Sequence, residues 1–299
     1  MSAPLITMAF SGGGAPPSPA EAMRRIREAG AEFVVDLPDH LACLPDAPRW
    51  LFVKGRLPDR PGVAVVGARK ATRYGLSIAR RIGALVGGAG WPVVSGLAKG
   101  VDAEAHRGCL EAAGTAVAVL GCGIDRWYPA ANRQLGERIL AAGGAVVSEY
   151  PPGTPPEAWR FPARNRIIAG LSRVVLVIEA AERSGALITA RMALDQGKEV
   201  MAVPGDVDRD TSRGCNQLIR DGAHPITDLA HLVDELTFWM GPPPRPDTDS
   251  PPEEVTVEDL IRRWGAEEAF GRLAEWQARG LVAIEDGRVV IPRAEGWST

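Results

Sequence analysis

Cysteine is scarce, and the few present are not arranged for chemistry. Cys43, Cys109, Cys122 and Cys215 form no CxxC pair. That pattern excludes a disulfide framework or a cysteine zinc site and reads as reduced thiols in a cytosolic protein. Cys122, between Gly121 and Gly123, has no histidine nearby in sequence to activate it, so it reads as a buried structural thiol. No apolar run reaches membrane-spanning length. The N-terminus lacks the basic start and apolar core of a signal peptide. No internal repeat is evident. The nucleotide fingerprints are missing too: there is no GxGxxG, no GxxxxGK[ST] and no PGGxGT. Their absence argues against dinucleotide redox chemistry, a P-loop NTPase and a phosphoribohydrolase. A net charge of −3 gives no overall basic field.

What is present is unevenly spread. Between Lys54 and Gly170 there are 16 Lys/Arg against 8 Asp/Glu, whereas Gly241 to Thr299 has 7 against 12. A basic middle and an acidic end imply different partners for each. The apolar fraction of 45% in 299 residues supports one large domain with small additions. The spacing divides the chain into a lead-in at 1–60, a main domain at 61–240, a Pro-rich acidic linker at 241–254 and a small domain at 255–299.

In the lead-in, Ser11 to Pro19 reads as flexible, Ala20 to Ala29 as a helix and Glu32 to Asp36 as a short strand. An extended Trp50–Val53 packs on the main domain. From Gly62 the chain alternates short β-branched runs with helical patterns. The pairs are Val63–Gly67 with Tyr74–Leu85, Val93–Ser95 with Ala103–Ala113, Thr115–Gly121 with Ala131–Ala141, Ala145–Glu149 with Asn165–Leu171, Val174–Glu179 with Ala186–Gln196, and Glu199–Val203 with Cys215–Asp221. Strands apolar throughout belong in a sheet covered on both faces. The alternation predicts an α/β fold with a doubly wound, mostly parallel sheet. After the linker, helices at Val257–Trp264 and Phe270–Arg279, with Gly280 as C-cap, precede a hairpin of Leu281–Glu285 and Arg288–Ile291 about Asp286-Gly287. That order is winged-helix-like.

Ligands of doubly wound sheets gather beyond the strand C-termini, at the switch in strand order. After the first strand, Gly67 allows a tight turn, Thr72 can cap the helix, and Arg69, Lys70 and Arg73 add positive charge. After the second, Ser95-Gly96 stands where a nicotinamide site wants a carboxylate, with Lys99 beyond. Asp102 and His106 lie four apart; a helix-capping Asp102 is favoured over an acid–base pair. After the third, Arg126 precedes Trp127 and Tyr128, which are equally base-stacking platforms or packing anchors. After the fifth, Ser184-Gly185 offers backbone N–H groups to an anion, and Glu179 reads as a structural hydrogen-bonding group. In Phe161–Leu171 (FPARNRIIAGL), Arg164, Asn165 and Arg166 are expected immediately before a helix start, where unpaired N–H groups and the dipole hold anions. These groups converge without a nucleophile–base pair, a metal cluster or a cofactor fingerprint. The reading is a polyanion-binding protein with no catalytic residues, metal or cofactor. The alternative is a nucleotide-processing, phosphoribohydrolase-like enzyme in the same pocket, with Glu179 or Glu149 as its carboxylate.

The ordered segments GARKATRYG, SGLAKGVD, VAVLGCGID, YPAAN, SEYPPG, FPARNRIIAGLS and VIEAAERSGALITARMALDQGKEVMAVPG resemble the DNA-processing protein A family, also called Smf. The likeness runs from about Pro48 to about Leu236. It implies an extended Rossmann fold that binds single-stranded DNA, protects incoming strands in natural transformation, and loads the RecA recombinase. It further implies a cytoplasmic homodimer without catalytic turnover. Position by position, the DNA-facing residues implied are Arg69, Lys99, Asn165 and Arg166, with Gly67, Ser95, Gly96 and Ser184 shaping the pocket. Two departures stand out. Members often carry a basic residue just after the Tyr-Pro pair, where this chain has Ala130-Ala131, so that contact is lost or moved to Arg126 or Arg133. The N-terminal segment is also short for the helical SAM-like domain of many members.

Overall fold

The computed structural model describes residues 3–10, 17–243, 255–278, 282–285 and 288–290. Two compact units contain them, Met1–Pro243 and Pro244–Thr299. The first opens with α1 (Ala3–Ala9), α2 (Pro19–Glu28), β1 (Glu32–Val34), α3 (Asp39–Ala42) and β2 (Leu51–Gly55). Alternation follows: β3 (Gly62–Gly67), α4 (Arg73–Gly88), β4 (Val93–Ser95), α5 (Val101–Glu111), β5 (Ala116–Leu120), α6 (Arg133–Ala141), β6 (Ala145–Ser148), α7 (Arg160–Gly170), β7 (Ser172–Ile178), α8 (Gly185–Asp195), β8 (Glu199–Ala202), α9 (Arg213–Arg220), β9 (His224–Pro225) and α10 (Leu232–Met240).

The nine strands form one sheet in the order β1-β2-β6-β5-β4-β3-β7-β8-β9. From β6 to β9 every neighbouring pair is parallel, while β2 runs antiparallel to β6 and β1 antiparallel to β2. The chain steps outward from β3 to β6, then returns to lay β7 on the other side of β3. That reversal opens a crevice between β3 and β7 at their C-terminal ends.

Side-chain alternation divides the core. Val63 and Val65 of β3 join one apolar layer with α4, α5 and α6, and Ala64 and Val66 join the other with α7 and α8. Strands buried on both faces need no polar side, which is why their sequences read as unbroken apolar runs. Gly83 and Gly108 let α4 and α5 nearly touch: a Cβ on either would strike the backbone of the other helix. Cys109 lies in this seam, and burial pushes its thiol up to about 12.

Several expectations shift. Pro19 belongs to α2, whose N-cap Ser18 accepts from Glu21 N, and residues 11–16 lie outside the described set. The extended Trp50–Val53 becomes β2, hydrogen-bonded along β6. The largest correction concerns α7. It begins at Arg160, five residues before the expected Asn165. Pro162 falls in its first turn, where the missing N–H costs no hydrogen bond. Arg164, Asn165 and Arg166 are therefore on the second turn, away from the free N–H groups. The helix α10, absent from the sequence expectations, closes the main domain and ends at Met240.

In the second unit, α11 (Val257–Trp264) and α12 (Ala266–Ala278) accompany β10 (Val255–Thr256), β11 (Ala283–Glu285) and β12 (Arg288–Val290). The strands form an antiparallel sheet ordered β10-β12-β11. Thr256 caps α11 in a reciprocal box with Asp259. Leu260, Leu273, Trp276 and Val289 make a small core. The expected Gly280 cap, the Asp286-Gly287 turn and most of the linker lie outside the described residues.

Candidate nucleic-acid interface

A cleft of about 520 Å³ occupies the crevice between β3 and β7. Gly67, Arg69 and Lys70 reach it from the end of β3, Arg164 and Asn165 from α7, and Arg183, Ser184 and Gly185 from the start of α8. Gly67 must be small, because a Cβ there would strike the Ile178 carbonyl. At the start of α8, Ser184 Oγ accepts from Ala186 N at 3.3 Å. Gly185 faces open space, and the first turn carries no carboxylate. The helix terminus that favours an anion in this cleft is thus that of α8, not α7. Asn165 links the two helices: Nδ2 donates to Gly185 O at 3.4 Å, and Oδ1 accepts from Arg164 Nε at 3.3 Å.

The cleft floor carries its own charge. Arg164 is 4% exposed, donates to Gly96 O at 3.1 Å, and is pushed down to about 10 by burial. Asp102 lies across Gly96 from it, accepting from Gly96 N at 3.1 Å and Ala98 N at 3.3 Å. Burial raises the Asp102 carboxyl, and Arg164 holds it back. Gly96 has no room for a side chain, since a Cβ would sit 2.5 Å from Arg164 Nη2 and 2.7 Å from Asp102 Oδ2. Asp102 is therefore not the cap of α5, whose N-cap is Gly100; it staples the preceding loop to the floor. His106 is fully buried with neither ring nitrogen partnered, and burial next to Arg164 lowers it to about 3. A neutral, sealed imidazole of this kind is no acid–base partner for Asp102.

The rim is different. Arg69, Lys70, Lys99 and Arg183 are exposed. Among the described residues, no carboxylate forms an ion pair with any of them. Lys99 is outside the cleft lining, on a loop joined to the end of β3 where Val101 N donates to Ala68 O at 3.2 Å.

The remaining candidates separate from the cleft. Ser95 is buried, its hydroxyl donating to Val65 O at 2.6 Å, so it braces the β3–β4 pair. Arg73 is exposed on the first turn of α4. Arg126 is exposed on the loop after β5, outside the cleft lining. Arg133 pairs with Glu137 on the surface at 2.7 Å. Arg166 is held at 2.6 Å by Glu149 and donates to Asp46 O at 3.0 Å. Its charge ties α7 to the β6 end and to the lead-in.

Glu179 follows β7 at a positive φ of 50° and accepts from Thr72 N and Thr72 Oγ1, both at 2.7 Å. Both carboxylate oxygens hold the α4 cap, as expected for a structural group. Cys122 is buried and pushed up to about 11, which suits an inert thiol. The aromatics after β5 split. Trp127 fills the space over Gly136, whereas Tyr128 is 42% exposed and stacks 5.1 Å from Phe161. Arg69 lies 5.3 Å over the other ring of that pair, Phe161. Asp102 and Arg183 were missing from the expected site. Arg183 was legible as the cation before Ser184, while nothing local marked Asp102 as a floor group.

A family model described as DNA recombination-mediator protein A matches residues 33–237. A Smf protein of Synechocystis is 46% identical over 207 residues, covering 67% of this chain and 52% of the relative. The chain thus spans about half the length of that relative. A Smf protein of Escherichia coli is 41% identical over 282 residues, covering 86% of this chain and 75% of the relative. Among solved structures, DNA processing protein A of Helicobacter pylori, described for its single-stranded DNA binding mode, aligns with a TM-score of 0.64. It is 28% identical and covers 70% of this chain and 96% of its own.

Proposed function

From the premise that the chain belongs to the DNA recombination-mediator protein A family, we propose that it binds single-stranded DNA in the β3–β7 cleft and passes the strand to a RecA-type recombinase. One observation carries the reading. The rim cations Arg69, Lys70 and Arg183, with Lys99 on the adjoining loop, have no carboxylate partners among the described residues, while the floor charge of Arg164 is balanced by Asp102. Such a site has net positive charge to give to an extended polyanion and little to give to chemistry. Backbone phosphates lie along the rim and at the α8 terminus. Asn165 orients them, and bases stack on the exposed Tyr128–Phe161 pair. Glu179 is committed to Thr72, so the carboxylate a nucleotide hydrolase would use is already engaged.

The protein acts without turnover, as a homodimer in the cytoplasm, protecting incoming strands during natural transformation. No helix among the described residues is long and apolar enough to cross a membrane. The second unit, with two helices and a three-stranded sheet, serves as a winged-helix-like module. Its acidic composition suits protein contact better than phosphate contact.

Anisotropy titrations with labelled oligothymidylate and with duplex DNA test this. The single strand binds more tightly, and log affinity falls with log salt by about 0.7 for each phosphate neutralised. Equal binding of both forms, or no salt slope, refutes the reading. Faster recombinase assembly on protein-coated strands checks the hand-off, and sedimentation checks the dimer.

A further inference from the structure

A second aromatic stack stands beside the cleft, and the cleft does not use it. Trp159, the N-cap residue of α7, is 60% exposed. The Arg160 guanidinium lies 4.8 Å over its ring and 5.3 Å over that of Tyr150. Tyr150 meets Trp159 edge-on, with centroids 6.4 Å apart. Glu157 accepts from the indole Nε1 at 2.6 Å and pairs with Arg160 at 3.0 Å. Arg160 also donates to Pro155 O at 2.6 Å.

These contacts do two things. They pin the indole, so a ligand meeting its free surface pays little ordering entropy. They also neutralise Arg160 with Glu157, so the spot has no spare positive charge for a phosphate. A rigid, electrically quiet aromatic surface suits the π-face of a nucleobase, whichever base it is.

Placement agrees. Tyr150 follows β6, and Phe161 sits over Gly121, just past β5. The cleft lies between β3 and β7. Trp159 stands two residues before Phe161, which lines the cleft, so the stack and the cleft adjoin at the start of α7. A strand with phosphates in the cleft spans that interval in a few nucleotides, at ~3.4 Å each. We propose that Trp159, braced by Arg160, Tyr150 and Glu157, is a second nucleobase-stacking platform for the same strand whose phosphates occupy the cleft. The inference rests on the single-strand reading above.

The probes are labelled oligothymidylate and a strand of equal length with abasic sites throughout, titrated against the full chain. Wild type prefers the base-bearing strand. Trp159→Ala loses ~5- to 150-fold on that strand, matching the loss of one stacked base, and binds the abasic strand as wild type does. Trp159→Phe recovers most of the loss. Thermal melts of both variants confirm an intact fold. If Trp159→Ala binds both strands like wild type, or weakens both equally, the platform is refuted while the cleft reading stands. If wild type binds neither strand, the cleft reading falls and the platform with it.

Discussion

Arg69 and Arg164 reach the same cleft from two regions whose sequences look alike. Arg69 belongs to the turn after β3, is exposed, lies over the Phe161 ring, and forms no ion pair among the described residues. Arg164 belongs to α7, is buried, and has its charge spent on Gly96 and Asp102. Arg166, one residue beyond Asn165 on the same helix, is spent on Glu149. A basic cluster on a turn stays available to solvent and ligand. A basic cluster on the second turn of a helix packed against a sheet must aim some of its charges inward, and each of those needs a partner. In the proposed site the turn therefore supplies free charge, and the helix supplies the frame that holds it.

This contrast can be broken or sharpened, beginning where the effect is greatest. Arg164→Ala leaves Asp102 buried without its countercharge and costs about 3–5 kcal/mol in a urea melt. A loss below about 1 kcal/mol would show that the floor is wet and the contrast false. Arg166→Ala strands Glu149 and releases Asp46 O, costing about 1.5–3 kcal/mol. A double-mutant cycle with Glu149→Gln should recover most of that as coupling.

Acid tests the floor in a different way. Burial and the nearby Arg164 lower His106 from 6.5 to about 3 in the folded chain, so the unfolded chain takes up a proton the folded one refuses. Its contribution to stability is whole above 6.5 and is lost as pH falls toward about 3, with about 2 kcal/mol gone by about pH 5. Asp102, raised by burial, acts in the opposite sense. Comparing wild type with His106→Leu separates the two: the variant's stability curve is flatter over that window. Identical curves would place His106 in contact with water.

Arg69→Ala has the least effect on stability and the clearest effect on binding. It forfeits a cation–π contact of about 0.5–1 kcal/mol, weakens oligothymidylate binding, and lowers the salt slope by about 0.7. A large stability loss with unchanged DNA binding would reverse the roles given to turn and helix.

Much of this was legible in the chain itself. Apolar runs such as Val63–Val66 and Val174–Ile178 announce strands covered on both faces, and their alternation with helices dictates a doubly wound sheet. Thr72 is readable as a helix cap because its partner, Gly75 N, is local, whereas the Thr72 that Glu179 braces stands 107 positions away and the capping role of Ser184 is a finding of the structure. The strands β1 and β2 were readable as extended pieces, but not as members of the main sheet.

The start of α7 lies five residues before the expected Asn165, because Pro162 is harmless in a first turn. Arg164 could not be told from Arg69 by composition. The difference is made by Gly96 and Asp102, which stand 68 and 62 positions earlier and arrive only through the β4–α5 crossover. Local pattern determined the elements, their order and the gathering of basic residues near the switch point, since those depend on neighbours along the chain. Which cations stay free, which are buried, and which aromatics stand open were decided by packing. A charge is available or spent according to what the fold brings within hydrogen-bonding distance of it, and sequence spacing does not encode that distance.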